Sequence, residues 1–179
     1  MFYEPQLDPL TGLLTRPALL AALFRETDRV QRSKQPLSLV LLAIDDFAHW
    51  TSRLTRPGCD TVLQTVAEQI SRLLRSYDTF GRSGDHEFLL ILPGCSVVNA
   101  NLLAERLRSE VFSIPIATEK EGVRLSASFG IASSEGRSPI VVLHEAELAL
   151  RSAQEAGPES IRTFARNPSP EIEPIEFLS

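Results

Sequence analysis

The sequence predicts an α/β domain, with a mostly antiparallel central sheet and helices packed against it. Three observations carry that expectation. Leu37–Ile44 is almost wholly apolar, as a strand buried on both faces would be. Residues 75–88 end one amphipathic helix and open a strand. They turn at Gly84-Asp85-His86-Glu87 and open a second strand at Phe88, which Leu89, Leu90, Ile91 and Leu92 continue. Apolar residues at helical spacing recur before, between and after these strands. Strands that return through tight turns, with amphipathic helices between them, pack as layers around one core.

Composition sets outer bounds. A chain of 179 residues suits one compact domain, and 43% hydrophobic with 23% charged residues is ordinary for a globular protein. The net charge of −5 speaks against nonspecific nucleic-acid binding. Cys59 and Cys95 lack zinc spacing and make no disulfide framework, which suits a reducing compartment. There is no signal-type start and no run of about 18 apolar residues, so a cytoplasmic location without a membrane partner is expected.

The elements follow in order. Residues 1–7 form a short lead. Asp8-Pro9-Leu10-Thr11-Gly12-Leu13 is turn chemistry, punctuated by Pro9 and Gly12. A helix starts near Pro17, because proline suits the first helical turn, with Leu19, Leu20, Leu23 and Phe24 as its apolar face. Arg25, Arg29, Arg32 and Lys34 make its second half basic, and Gln35-Pro36 ends it. After the strand Leu37–Ile44, residues 51–57 read as irregular or weakly helical. A helix covers about 59–76, with Val62, Val66, Ile70, Leu73 and Leu74 on one face. The hairpin comes next, and Pro93-Gly94 stops it.

A further helix covers about 97–111, with Leu103, Leu107 and Val111 at four-residue spacing. Residues 114–117 and 123–133 read as two strands around a polar turn. Arg124, Ser126 and Ser128 alternate with Leu125, Ala127 and Phe129, which predicts one half-buried face. A helix over 142–156 carries Ala146, Ala149, Leu150 and Ala153, and Gly157-Pro158 ends it. Residues 161–164 are a candidate edge strand. Residues 166–179, with three prolines and three glutamates, read as a loose tail.

Two places carry candidate chemistry. The strand Leu37–Ile44 closes on Asp45-Asp46-Phe47. Carboxylates there, beside a polar hairpin, suit a divalent cation held through hard oxygens. They equally suit an N-cap for the next helix, and the strength of the capping preference favours that reading. The hairpin tip, with Asp85, His86 and Glu87 exposed, reads either as a metal or phosphate site or as a solvated turn.

Several segments together resemble the GGDEF domains of diguanylate cyclases. Asp8-Pro9-Leu10-Thr11-Gly12-Leu13-Leu14-Thr15-Arg16 resembles the family entry D-x-L-T-G-L-x-N-R. Ala43-Ile44-Asp45-Asp46-Phe47 resembles D-I-D-x-F, and Gly84-Asp85-His86-Glu87-Phe88 stands where the family has G-G-D/E-E-F. Ala104-Glu105-Arg106-Leu107-Arg108, Ser128-Phe129-Gly130-Ile131-Ala132 and Ala146-Glu147-Leu148-Ala149-Leu150 resemble later segments, in order. The resemblance implies a palm-like α/β fold related to nucleotidyl cyclases over residues 8–165. It also implies a chemistry in which two paired domains, each holding GTP, make cyclic di-GMP.

The departures from the pattern point away from that chemistry. The family's metal carboxylates fall at Ala43 and His86, and imidazole is a poor magnesium ligand. The second turn glycine is Asp85, which sets a negative charge where a triphosphate would approach. The guanine-contacting asparagine position is Thr51, although Asp60 falls at the guanine-contacting aspartate. The triphosphate lysine and arginine positions are Gln154 and Pro158. Asp45 lies on the same strand face as Ala43 and with Glu87 offers two carboxylates for a displaced cation, but the lost phosphate cations leave such a metal without its role.

The family's inhibitory R-x-x-D site, which binds cyclic di-GMP, falls in register at Arg75-Ser76-Tyr77-Asp78. Arg25-Glu26-Thr27-Asp28 and Arg82-Ser83-Gly84-Asp85 match the tetrapeptide out of register. A purely local Arg75–Asp78 ion pair is the bland alternative. Arg106 matches a supporting arginine of that site, and Arg29 falls where a neighbouring domain contributes another. The expectation is therefore a GGDEF domain that is not an enzyme and holds no magnesium or other cofactor. It would serve as a cyclic di-GMP receptor that dimerises or engages a protein effector. The alternatives are a nucleotide-independent interaction domain and a weak residual cyclase.

Overall fold

The computed structural model describes residues 6–165. Its elements are α1 (Arg16–Ser33), β1 (Leu37–Ile44), α2 (Phe47–Arg53), α3 (Arg56–Leu73), β2 (Thr79–Gly84), β3 (Glu87–Pro93), α4 (Val97–Glu110), β4 (Ile116–Ala117), β5 (Gly122–Val123), β6 (Ala127–Ser133), α5 (Pro139–Ala156) and β7 (Ile161–Thr163). The main sheet has the order β2-β3-β1-β6-β7. All neighbours are antiparallel except β6 and β7, which are parallel. The α/β expectation holds, with a mixed sheet.

The central strand β1 is buried along its whole length because both faces are covered. Val40, Leu42 and Ile44 pack with Val62, Val66 and Ile70 of α3 and Ala100, Ala104 and Leu107 of α4. Leu37, Leu39, Leu41 and Ala43 point the other way, toward Leu19, Leu23 and Val30 of α1 and Val142, Ala146 and Leu150 of α5. The period of two along one apolar strand thus divides the protein into two cores.

Helix α5 lies so close on β6 that Gly130 is required. A Cβ there would sit 2.2 Å from the Leu150 nitrogen and 2.4 Å from the Ala146 oxygen, both backbone atoms. Gly81 plays a similar part against Leu19. On the other face of β6, Phe112 meets Phe129 edge-on, with centroids 6.1 Å apart.

Several local expectations are corrected. The end of the lead is pinned: Leu7 bridges Leu14, which in turn bridges Gly81. Residues 1–5 and the predicted tail, 166–179, lie outside the described residues. Phe24 is 48% exposed rather than part of the buried face. Residues 47–53 are the helix α2, and α3 begins at Arg56 because the Thr55 hydroxyl accepts from the Gly58 amide at 3.2 Å. In α4 the buried positions are Ala100, Ala104 and Leu107, and Leu103 is only half-buried. Residues 123–133 are not one strand. Val123 belongs to a separate two-stranded ribbon with β4; the expected alternation holds at exposed Arg124, buried Leu125 and half-buried Ser126, but β6 itself is buried on both faces. Ser126 lies between the ribbon and β6, its carbonyl accepting from the Asp45 amide at 2.9 Å.

Cys59 and Cys95 are both free thiols, and burial pushes each up from the usual thiol range. Among the described residues no helix is long and apolar enough to cross a membrane.

Candidate functional site

The first site forms where β1 ends beside the β2–β3 hairpin. Ala43 pairs with Glu87 on one side and with Ser128 on the other. The Ile44 amide donates to the His86 carbonyl at 3.0 Å, so the hairpin turn is tied directly to the strand end. A pocket of about 580 Å³ opens there, lined in part by Asp45, Asp46, Phe47, His86, Gln154 and Pro158. Of the predicted vestigial residues, Asp45 and His86 line it, with Ala43 and Glu87 paired just behind. Asp85 is exposed at the tip. Thr51, whose hydroxyl donates to the Ala48 carbonyl, and Asp60 on α3 do not line it.

The carboxylates of Asp45 and Glu87 at this pocket accept from neutral donors. Asp45 Oδ2 accepts from the Ser126 hydroxyl at 2.6 Å and from the Glu159 amide at 3.0 Å, and Oδ1 accepts from the Ser128 hydroxyl at 2.6 Å. Both carboxylate oxygens are thus held by neutral donors. Asp46 stands at the N-cap of α2 with φ +50°, yet its side chain makes no capping bond, so the capping expectation fails on side-chain chemistry. Glu87 accepts from the Ser83 hydroxyl at 2.9 Å. The His86 ring stacks on Phe47, centroids 4.9 Å apart and planes within 19°. Among the described residues no three of His, Cys, Asp and Glu are grouped to hold a metal ion.

The second site lies where α3 gives way to β2. Asp78 has a side chain only 2% exposed. It accepts from the Arg75 amide at 2.8 Å, from Arg75 Nε at 3.2 Å and from Arg75 Nη2 at 2.8 Å. Arg75 also donates to the Pro93 carbonyl at 3.2 Å and to the Tyr77 hydroxyl at 3.0 Å, with its guanidinium 4.5 Å from the Tyr77 ring centre. The bonds to Asp78 raise Arg75 above the usual arginine range, although burial works against them. A neighbouring pocket of about 360 Å³ is lined by Arg75, Asp78, Thr79, Phe80, Ser71 and the 12–14 entry turn, among others.

The remaining predicted residues are elsewhere. Arg106 lies on the exposed side of α4, where Nε pairs with Glu110 at 2.9 Å. Arg29 lies on α1, 3.4 Å from Glu26. Within one chain the structure brings Arg75 and Asp78 together, and neither Arg106 nor Arg29 lines their pocket.

With this geometry in place, comparison with known proteins is decisive for the family. The family model for the GGDEF domain of diguanylate cyclases matches residues 6–160. This chain belongs to that family. The diguanylate cyclase DgcP of Pseudomonas aeruginosa is 34% identical to it over 151 residues, 84% of this chain and 22% of that protein. Diguanylate cyclase SiaD, solved in complex with its activator SiaC from Pseudomonas aeruginosa, matches with TM-score 0.83 and 32% identity, over 88% of this chain and 61% of that one. The GGDEF domain of PA1120 from the same organism matches with TM-score 0.85 and 28% identity, over 89% of this chain and 94% of that one. The chain spans between a fifth and about a third of the length of the curated relatives it matches.

In this GGDEF domain, sequence reasoning missed the partners that hold the motif residues. Ser126 and Ser128 showed only as an alternating polar face. Their role follows from register, since Ser128 faces Ala43 two residues before Asp45. Asp8 and Arg82 also form a pair, at 3.2 Å, that clamps the entry turn to β2. Arg82 donates further to the Gly84 and Asp85 carbonyls and so shapes the hairpin. Burial pushes the Asp8 carboxyl up, but bonds from the Thr11 hydroxyl and amide, together with Arg82, outweigh it and hold Asp8 below the usual carboxylate range.

Proposed function

We propose that this GGDEF domain does not synthesise cyclic di-GMP but binds it as a receptor at Arg75 and Asp78, relaying the signal by dimerising or by engaging a protein effector. The observation that carries the reading is a contrast between two sites. At the Asp45–His86 pocket the family's two carboxylate positions hold a methyl group and an imidazole, and Asp45 has both oxygens engaged by serine hydroxyls and an amide. That donor set does not fit magnesium, which demands oxygen ligands in tight octahedral geometry. At the second site the arginine and the carboxylate stand in the family's inhibitory register and are already assembled.

The recognition chemistry is direct. A guanidinium presents a planar fork of donors that fits a phosphate or the acceptor edge of guanine. A carboxylate accepts from guanine N–H groups in charge-assisted bonds. Arg106 would meet a second phosphate or base, and Arg29 would reach in from a partner domain. Two free cysteines accord with a cytoplasmic setting.

A second reading has its own support. Asp78 is closed over by Arg75, so a ligand must first open that pair. A domain that never opens it would serve as an interaction module without nucleotide, and SiaD, a similar protein, is named with a protein activator.

Calorimetry with cyclic di-GMP separates the two. The receptor reading expects a dissociation constant in the micromolar range, about −8 kcal/mol. No heat at high ligand concentration hands the role to the interaction module. Incubation with GTP and magnesium tests synthesis separately. We expect no cyclic di-GMP and GTP affinity no better than about millimolar, or −4 kcal/mol. Product whose formation Glu87→Ala abolishes would reinstate the enzyme.

A further inference from the structure

Arg75, Ser76, Tyr77 and Asp78 form a turn that is closed in both directions. The Asp78 amide donates to the Arg75 carbonyl at 3.1 Å, and the Asp78 carboxylate accepts from the Arg75 amide at 2.8 Å. Ser76 and Tyr77 are the two central residues, and Tyr77 is 51% exposed. Its side chain nonetheless lies on the site. The ring centre is 4.5 Å from the Arg75 guanidinium carbon, and the Tyr77 hydroxyl accepts from Arg75 Nη1 at 3.0 Å. The guanidinium is therefore held from three sides. Nε and Nη2 bond Asp78, Nη2 also reaches the Pro93 carbonyl, and Nη1 meets Tyr77.

A count of donors shows what this arrangement leaves over. A guanidinium carries an N–H on Nε and two on each terminal nitrogen, and a phenol hydroxyl both accepts and donates. The Nε proton goes to Asp78, those of Nη2 to Asp78 and Pro93, and one of Nη1 to Tyr77. The second N–H of Nη1 and the O–H of Tyr77 have no acceptor among the described residues. The two donors stand side by side, 3.0 Å apart at their heavy atoms. They lie beyond the Nε–Nη2 edge that grips Asp78. The Asp78 side chain is 2% exposed against 42% for Arg75, so the outer edge presents the cation and screens the anion. Paired donors, one of them charged, suit the oxygens of a phosphate group.

We propose that Tyr77 is a ligand-binding residue of this site, its hydroxyl and Arg75 Nη1 together donating to the oxygens of a phosphodiester. The proposal rests on the receptor reading above and names the contact that the ligand makes first. Guanine N–H groups reach Asp78 only once its pair with Arg75 has opened. The outer edge takes a phosphodiester with that pair still closed. Tyr77 and Pro93 already hold the guanidinium in place, which lowers the ordering cost of binding.

The test compares the full chain with its Tyr77→Phe variant, which keeps the ring and removes the hydroxyl. Calorimetry with cyclic di-GMP should show binding about tenfold weaker in the variant. Two spectroscopic readouts separate contact from support. The phosphorus resonance of the bound ligand should move back toward its free position in the variant. The Nε–H resonance of ligand-free Arg75, which reports the grip on Asp78, should stay where it is. Equal affinity in the two proteins overturns the proposal and leaves the receptor reading standing. Weaker binding with an unmoved phosphorus resonance also overturns it and assigns Tyr77 to a base. A displaced Nε–H resonance overturns it by making Tyr77 a support for Arg75 alone. No heat with the parent fails the receptor reading and this proposal together.

Discussion

The Ser128 hydroxyl donates to the Asp45 carboxylate at 2.6 Å, across two adjacent strands of the sheet. Ser128 is fully buried, so the bond is shielded from water. With the Ser126 hydroxyl, also at 2.6 Å, it engages both oxygens of that carboxylate. Ser128→Ala should remove one charged hydrogen bond and lower stability by about 1.5–3 kcal/mol. Urea denaturation measures this, and an unchanged midpoint would mean that water replaces the hydroxyl without loss.

Arg75 holds a nearly inaccessible carboxylate, so its removal acts twice. Arg75→Ala should weaken cyclic di-GMP binding by about 1.5–3 kcal/mol. It should also destabilise the domain by about 1–3 kcal/mol by leaving Asp78 buried without its partner. Arg75→Lys keeps the charge but not the fork, and so should rescue stability more than affinity. Arg56→Ala, on the exposed start of α3, should bind like the parent. Titrations and melts on the three variants are read together, and equal affinity in parent and Arg75→Ala removes this residue from the site.

Asp8 links pH to stability. Its folded carboxyl lies below its unfolded value, with Thr11 and Arg82 outweighing burial. A depressed acid contributes stability that is fully present above the unfolded value of about 3.9 and is lost as pH falls through the folded value. The domain should therefore lose stability on acidification below about pH 4. Asp8→Asn should be less stable at neutral pH and show a flatter acid limb. Parallel acid limbs in the two proteins would show that the Asp8–Arg82 clamp contributes nothing.

Gly130 sits under α5 with no room for a side chain. Because the obstructing atoms are backbone, no rotamer change relieves the overlap. Gly130→Ala should force α5 off the sheet and cost about 3 kcal/mol or more. Gly136→Ala is a useful contrast. Nothing lies within 4 Å of a Cβ there, and only its φ of +76° opposes substitution. Its cost should stay near 1 kcal/mol. Thermal melts compare the two, and similar losses would place the cost in conformation rather than overlap.

The sequence by itself determined the elements whose cause is local or periodic. Leu37–Ile44 had to be a strand buried on both faces because no polar residue but Ser38 interrupts it, and Ser38 finds the Cys95 carbonyl at 2.8 Å. The hairpin followed from a polar tetrapeptide between apolar runs, α1 from apolar spacing with proline in its first turn, and α3 and α5 from apolar spacing, which missed their true starts at Arg56 and Pro139. The replacements at Ala43, Asp85 and His86, and the register of Arg75, were legible only through the resemblance to the family pattern. Only the tertiary structure decided what those side chains touch. Asp45 meets Ser126, Ser128 and the Glu159 amide across more than eighty residues of chain, and Asp8 meets Arg82 across 74. Tertiary packing likewise buried the second face of β6, which alternation had left to solvent, because α5 and Phe112 cover it from opposite sides. Period and turn chemistry are properties of neighbouring residues. Hydrogen-bond partners and covered faces depend on which distant segments the sheet brings alongside, and no local pattern encodes that.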